Sequence, residues 1–269
     1  MSGAGAEVVR VADAEAVSRA AAEEWVRCAR AAVAARGGFT VALSGGSTPR
    51  RMFQVLAGPP LREQVDWAHL DIFWGDERAV PPDHPDSNYG MAHAALLSKV
   101  PIPPARVHRM FAERDDRDAA ARDYAAEIAR VFGVPPPGEA AAAGGAPPEG
   151  EPPAFDLVLL GMGPDGHTAS LFPHTEALRE TRRWVVRNYV PKFSANRLTL
   201  TAPILNRGTT ILFLVAGADK AAVLQEVLEG PPDPERLPSQ LIRPAAGRLV
   251  WLVDRPAAAR LTEGGRAPS

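Results

Sequence analysis

Hydrophobic positions along the chain recur with two periods, and the alternation between those periods outlines the fold. From Asp13 to Arg36 small and apolar side chains return at helical spacing, interrupted by Glu23, Glu24 and Arg27, and the stretch stops at Gly37-Gly38. This predicts a first helix that ends on glycine. Phe39 to Leu43 is a short apolar run of strand formers, followed at once by Ser-Gly-Gly-Ser-Thr-Pro and then by helical spacing from Arg50 to Ala57. The unit reads as strand, glycine loop and helix. Leu70 to Trp74 repeats the strand signal and enters a turn-rich loop from Gly75 to Gly90, with a helix near Met91 to Leu97 and another over Asp115 to Phe132. Phe155 to Leu160 has the apolar character of a strand buried on both faces. Further strands are predicted at Trp184 to Tyr189, Arg197 to Thr201, Thr210 to Val215 and Leu249 to Val253, with a helix over Asp219 to Leu228.

Alternating strands and helices imply an α/β protein, with a mainly parallel Rossmann-like sheet and helices on both faces. Gly133 to Pro153 consists almost wholly of Pro, Ala, Gly and Glu, too little apolar area to offset its ordering entropy. It is expected to be an insertion in a single domain spanning residues 1–269. A two-domain division would fall there. No internal repeat is visible.

Composition narrows the partner. Hydrophobic residues make up 46% and charged residues 23%, the balance of an ordinary globular chain, and the net charge is -2. With no basic excess, neither nucleic acid nor an anionic membrane is the expected partner, so any anion must be met by local positive groups. Cys28 is the only cysteine, which rules out an intramolecular disulfide and a cysteine metal cluster. Burial as a small apolar side chain is its expected role. The segment MSGAGAEVVR lacks a basic stretch followed by an apolar one, and no window approaches 18 apolar residues. A cytoplasmic location is expected.

In open parallel sheets ligands bind beyond the carboxyl ends of the strands, and three loops are expected there. Ser44, Gly45, Gly46, Ser47 and Thr48 form the first. Its glycines let backbone N–H groups converge, its hydroxyls add donors, and a helix N-terminus follows, which suits phosphate. It has neither Walker nor GxGxxG spacing, so no nucleoside triphosphate or NAD is indicated. The alternative is a tight turn with Ser47 or Thr48 as N-cap and Pro49 in the first helical position. The second loop puts Asp76, Glu77 and Arg78 directly after a strand: Arg78 is a fixed charge fork for phosphate, and the acids can orient water, hydroxyls or a histidine. A solvated charge cluster is the competing reading. The third, Gly161 to Pro173, carries Gly161, Gly163 and Gly166 and presents Asp165 and His167 one residue apart, before a helix-like Ala-Ser-Leu-Phe segment. Histidine titrates near neutrality and can take a proton from water and return it to a leaving group, while a nearby carboxylate can fix its tautomer. Residues i and i+2 can also point apart, so the pairing is open. His69, His84, His93, His108 and His174 have no comparable setting, and no metal-ligand spacing surrounds them. Lys192 in a turn and Arg197 at the start of a strand can close a site over phosphate, or can be surface cations.

Taken in order, LSGGSTP, FWGDERAVPPDHPDSNYG, LLGMGPDGHTASLFP and KxxxxRLTLTAPILN followed by LFLVAGADKA resemble the 6-phosphogluconolactonase family across nearly the whole chain. The resemblance implies a fold shared with glucosamine-6-phosphate deaminases and ribose-5-phosphate isomerases. It also implies hydrolysis of 6-phosphogluconolactone in the oxidative pentose phosphate pathway, without metal or organic cofactor. By motif it assigns His167 as general base and Arg78 and Lys192 as phosphate ligands, and makes Asp76 and the Ser44 to Thr48 loop site members. Family members often carry prolines after the lysine, where this chain has Phe193-Ser194-Ala195-Asn196. An amino-sugar phosphate deaminase is the nearest rival; those enzymes typically show MDEY-like and DGHIAFNEP segments, whereas here Arg78 replaces the tyrosine and Ser170-Leu171 the Phe-Asn. A sugar-phosphate sensor is the second, and no DNA-binding segment supports it.

Overall fold

The structure, a computed structural model, describes residues 6–135 and 152–262, so most of the insertion expected at 133–153 lies outside the described residues. The first half runs β1 (Glu7–Val11), α1 (Ala14–Arg36), β2 (Phe39–Leu43), α2 (Ser47–Leu56), β3 (Leu70–Trp74), β4 (Asp76–Arg78), α3 (Asn88–Ala95) and α4 (Arg117–Phe132). The second runs β5 (Leu157–Gly161), β6 (Val185–Val190), β7 (Ala195–Leu200), α5 (Ala202–Leu205), β8 (Thr210–Val215), α6 (Ala221–Glu229) and β9 (Arg248–Asp254).

Six strands form a parallel sheet in the order β1-β9-β8-β5-β2-β3. Its central strands are the uniformly apolar ones; every residue of β8 is buried, as a parallel strand covered on both faces requires. Side chains alternate across the pleat, and the register sets Ala42 beside Phe73. Phe39 therefore faces the side covered by α1, where Trp25 packs on it at 5.8 Å. Phe73 faces the side covered by α4 and meets Tyr124 at 6.1 Å. Each fully buried Phe or Leu on these faces contributes about 1.5–3 kcal/mol.

Local chemistry explains the helix ends. Asp13 caps α1 by accepting from the Ala16 N–H at 2.8 Å, and Gly37 ends it at φ 75°, a left-handed conformation that glycine adopts without Cβ penalty. For α2 the expected cap is corrected. The N-cap is Gly46, at φ 107°, no side chain caps the helix, and Ser47 and Thr48 already lie within it, so Pro49 is its third residue. His108, expected to be unremarkable, is buried between Asp71 of β3, at 2.9 Å from Nε2, and Glu127 of α4, at 2.7 Å from Nδ1. It ties the sheet edge to α4 and stacks on Phe73.

Two features of the sheets also depart from the sequence expectation. The first is β1, paired in parallel to β9 at the sheet edge. The second is a separate three-stranded antiparallel sheet, β4-β7-β6, in which the supposed loop residues Asp76–Arg78 form a strand. Gly75 is the pivot: its N–H donates to Leu43 O in the large sheet and its carbonyl accepts from Leu200 N in the small one, each at 2.8 Å. One residue thus carries the chain from sheet to sheet.

Candidate active site

Because β5, β2 and β3 are parallel neighbours, the three glycine-bearing loops leave the same edge of the large sheet. A buried hydrogen-bond network ties the second loop to the third, and the first packs against it. The Asn88 side chain, at the start of α3, donates to the Asp76 carbonyl at 2.9 Å and to its Oδ1 at 3.1 Å. A Cβ on Gly45 would lie 1.9 Å from Asn88 Oδ1, so the first loop can pack here only as glycine. On the other side Ser170 Oγ donates to Asp76 Oδ2 at 2.6 Å. Asp76 is thus buried with both carboxylate oxygens engaged, holding the third loop to the second, while the first packs against Asn88. Glu77 completes the anchor, accepting from Ser87 Oγ and from the backbone N–H groups of Arg78, Asn88 and Tyr89. Burial raises its pKa above the usual carboxylate value, against the lowering effect of those backbone donors.

The third loop is not followed by a helix, which corrects that expectation for residues 169–172. Ala169 sits at φ 47°, and Leu171 N donates to Thr168 O at 2.9 Å in a tight turn. The turn is fastened to the small sheet, with Ser170 N donating to Thr199 Oγ1 at 3.2 Å and Asn188 Nδ2 to Ser170 O at 2.8 Å. A left-handed residue and backbone groups committed to side chains leave no helical hydrogen bonds to form.

Within this frame Asp165 and His167 do meet. Gly166, at φ 76°, bends the chain so that His167 Nδ1 lies 2.5 Å from Asp165 Oδ1, and Gly163 N donates to His167 O at 2.9 Å. A Cβ on Gly163 would fall 2.0 Å from Nδ1, so that glycine makes room for the imidazole. Lys192 Nζ donates to the other carboxylate oxygen at 2.8 Å. Partial burial pushes the Asp165 pKa up, but the hydrogen bonds from His167 and Lys192 outweigh it and hold the carboxyl well below its usual range. It is therefore a lasting negative charge behind the ring. Phe172 stacks on the imidazole at 4.0 Å and 23°, which fixes the ring plane.

The cations gather on the small sheet. Arg78 of β4 lies directly opposite Arg197 of β7. Arg78 Nη1 donates to Asp86 O at 2.6 Å, while the Nε atoms of both arginines are buried with no hydrogen-bond partner among the described residues. Burial first, then the neighbouring Arg78 charge, lowers the Arg197 pKa, outweighing the opposite pull of Asp76, Glu77 and Asp86. Two facing guanidiniums with unused donors have the chemistry to receive an anion. Ser44 is buried at the end of β2, and Ser47 and Thr48 occupy the uncapped first turn of α2.

Sequence reasoning missed Asn88, Ser170, Asn188 and Thr199, which hold the loops, and Phe172 and Phe193, which flank the histidine and the cations. Several lie inside the quoted motifs, but residue type alone does not show that they hold the loops. Among the described residues no cluster of His, Cys, Asp and Glu side chains is arranged to hold a metal ion, and no helix is long and apolar enough to cross a membrane.

Comparison with known proteins identifies the family. Residues 12–251 match the family described as glucosamine-6-phosphate isomerases/6-phosphogluconolactonase. A 6-phosphogluconolactonase of Synechocystis is 44% identical over 230 residues, 86% of this chain and 88% of the relative. One of Streptomyces coelicolor is 38% identical over 259 residues, 93% of this chain and 92% of the relative. The solved 6-phosphogluconolactonase of Trypanosoma cruzi superposes with a TM-score of 0.82 at 29% identity, covering 98% of this chain and 99% of that one. A monomeric glucosamine-6-phosphate deaminase, at 21% identity and a TM-score of 0.74, shares the fold. The motifs, the architecture and these likenesses agree, and the chain belongs to the glucosamine-6-phosphate isomerase/6-phosphogluconolactonase family.

Proposed function

We propose that the protein is a 6-phosphogluconolactonase that opens 6-phospho-D-glucono-1,5-lactone to 6-phosphogluconate by general-base activation of water. The observation that carries this reading is the Asp165–His167 pair, 2.5 Å apart, beside a group of cations. With Nδ1 donating to Asp165, the neutral imidazole has its lone pair on Nε2, the nitrogen available to water. His167 takes a proton from water as the water oxygen bonds to the lactone carbonyl carbon. The Asp165 carboxylate stabilises the imidazolium that forms. As the tetrahedral intermediate collapses, the bond to the ring oxygen breaks and His167 returns the proton to it, leaving the acid and a free hydroxyl. Arg78, Arg197, Lys192 and the Ser44–Thr48 loop hold the phosphate, so binding energy at that end aligns the distant carbonyl with the base. Asp76 acts at one remove, by fastening the third loop to the second. The reduced, buried thiol of Cys28 is in keeping with a cytoplasmic location.

The test is His167→Ala measured against spontaneous lactone opening. Loss of catalysis with an unchanged fold is expected; a normal kcat removes His167 from the mechanism. Ammonia release from glucosamine 6-phosphate would favour the deaminase reading instead.

A further inference from the structure

We infer that Phe193 is a positioning residue, whose ring couples the cations Lys192 and Arg197 to the His167 imidazole through Phe172. The inference rests on the lactonase reading of this site. Phe193 stands at the β6–β7 turn, 48% exposed, so it adds little to the core. Its aromatic and cation contacts are with residues of the site. Its ring meets Phe172 edge to face at 5.6 Å and 82°, and Phe172 in turn stacks on His167. Lys192 Nζ lies 5.5 Å and Arg197 Cζ 5.6 Å from its centroid, both within cation–π range.

The turn itself does not need the ring. Residues 191–193 form a 3-10 turn closed by Ser194 N donating to Pro191 O at 3.0 Å, with Ser194 in the left-handed conformation at φ 48°. An aromatic face at this spot therefore answers a demand of the site. Arg197 is half-buried and faces a like charge on Arg78; the electron-rich face of Phe193 offsets part of that cost without consuming the donors an anion needs. Lys192 is held from both sides, by Asp165 and by the ring. The edge contact keeps Phe172 seated on the imidazole. One ring thus sets the reach of two phosphate ligands and the plane of the base.

The experiment compares Phe193→Ala, Phe193→Leu and Phe193→Trp with the parent. KM and kcat are measured for the phosphorylated and the unphosphorylated gluconolactone, and affinity for inorganic phosphate is measured by calorimetry. Losing two exposed cation–π contacts predicts that Ala and Leu raise KM for the phosphorylated substrate and weaken phosphate binding about five- to thirtyfold. Trp keeps both within about twofold. Because the ring also seats Phe172 on the base, Ala lowers kcat for both lactones alike, whereas KM for the unphosphorylated lactone and the melting temperature stay unchanged. If Leu matches the parent, bulk suffices and the inference falls; equal phosphate affinity in all four proteins overturns it too. A parent that binds phosphate but opens no lactone refutes the lactonase reading, while the phosphate affinities still decide the role of Phe193.

Discussion

Asp165→Asn removes one charge and almost no volume, so its consequences can be worked from the contacts. In the native site Oδ1 accepts from His167 Nδ1 at 2.5 Å and Oδ2 from Lys192 at 2.8 Å. A hydrogen bond to a charged group contributes about 1.5–3 kcal/mol, and this one reaches full strength only when His167 becomes the imidazolium during turnover. Losing it in the transition state lowers kcat about ten- to 150-fold. The asparagine amide adds a second effect. When it turns its NH2 toward Nδ1, the imidazole keeps its proton on Nε2 and cannot accept one from water. The two effects together predict a fall of about 10^2- to 10^3-fold in kcat. The released Lys192 is half-exposed, so KM changes less. Initial rates of acid release, corrected for spontaneous opening, measure both parameters. A folded variant with kcat within about threefold of the parent, less than about 0.7 kcal/mol of barrier, would refute the reasoning. Stability supplies an independent readout with a definite sign. The folded pKa of Asp165 is depressed, so its contribution is complete above the unfolded value near ~3.9 and is lost as pH falls through the folded value. The gap in urea stability between parent and variant should therefore be constant at neutral pH and close below about pH 4.

Three further outcomes follow from single contacts. Ser170→Ala leaves buried Asp76 Oδ2 without its donor, costing about 1.5–3 kcal/mol and about 3–10 °C in melting temperature; an unchanged thermal transition would show that the Asp76 link carries no weight. Gly163→Ala drives a methyl group to 2.0 Å from His167 Nδ1, so kcat should fall at least about 100-fold while circular dichroism stays native; full activity would mean the loop yields freely. Burial pushes the Cys28 thiol up to about 11, so the native protein should react with thiol reagents at pH 8 about two orders of magnitude more slowly than the unfolded chain. Rapid native labelling would contradict its burial.

Much of the large sheet can be read directly from the chain. β2, β3 and β8 coincide with their apolar runs, because strands buried on both faces need unbroken hydrophobicity and lie between glycine or polar breaks. α1 is bounded by Asp13 and Gly37, whose side-chain oxygen and missing Cβ are end signals in themselves. The three site loops were legible as well, since a loop after such a strand has only one edge of the sheet to occupy. By contrast, β1 sets Glu7 and Arg10 among its valines and has no fully buried residue, and β4 consists of Asp, Glu and Arg; β4 becomes a strand because Gly75 hands it to β7. The turn at Ala169 defeated a helical reading of Ala-Ser-Leu-Phe because its backbone is bonded to Thr199 and Asn188, which no local window contains.

Sequence alone thus determined the order of the parallel strands' elements, the three loops, and the residue types that carry the chemistry. Tertiary structure decided which of them touch. Asp165 and His167 could have pointed apart, and the left-handed Gly166 turns them together. Asp76 reads from its motif only as a site member; the fold supplies its partners, Asn88 and a serine 94 positions away. Such pairings depend on where distant segments cross, and local propensity carries no information about that crossing.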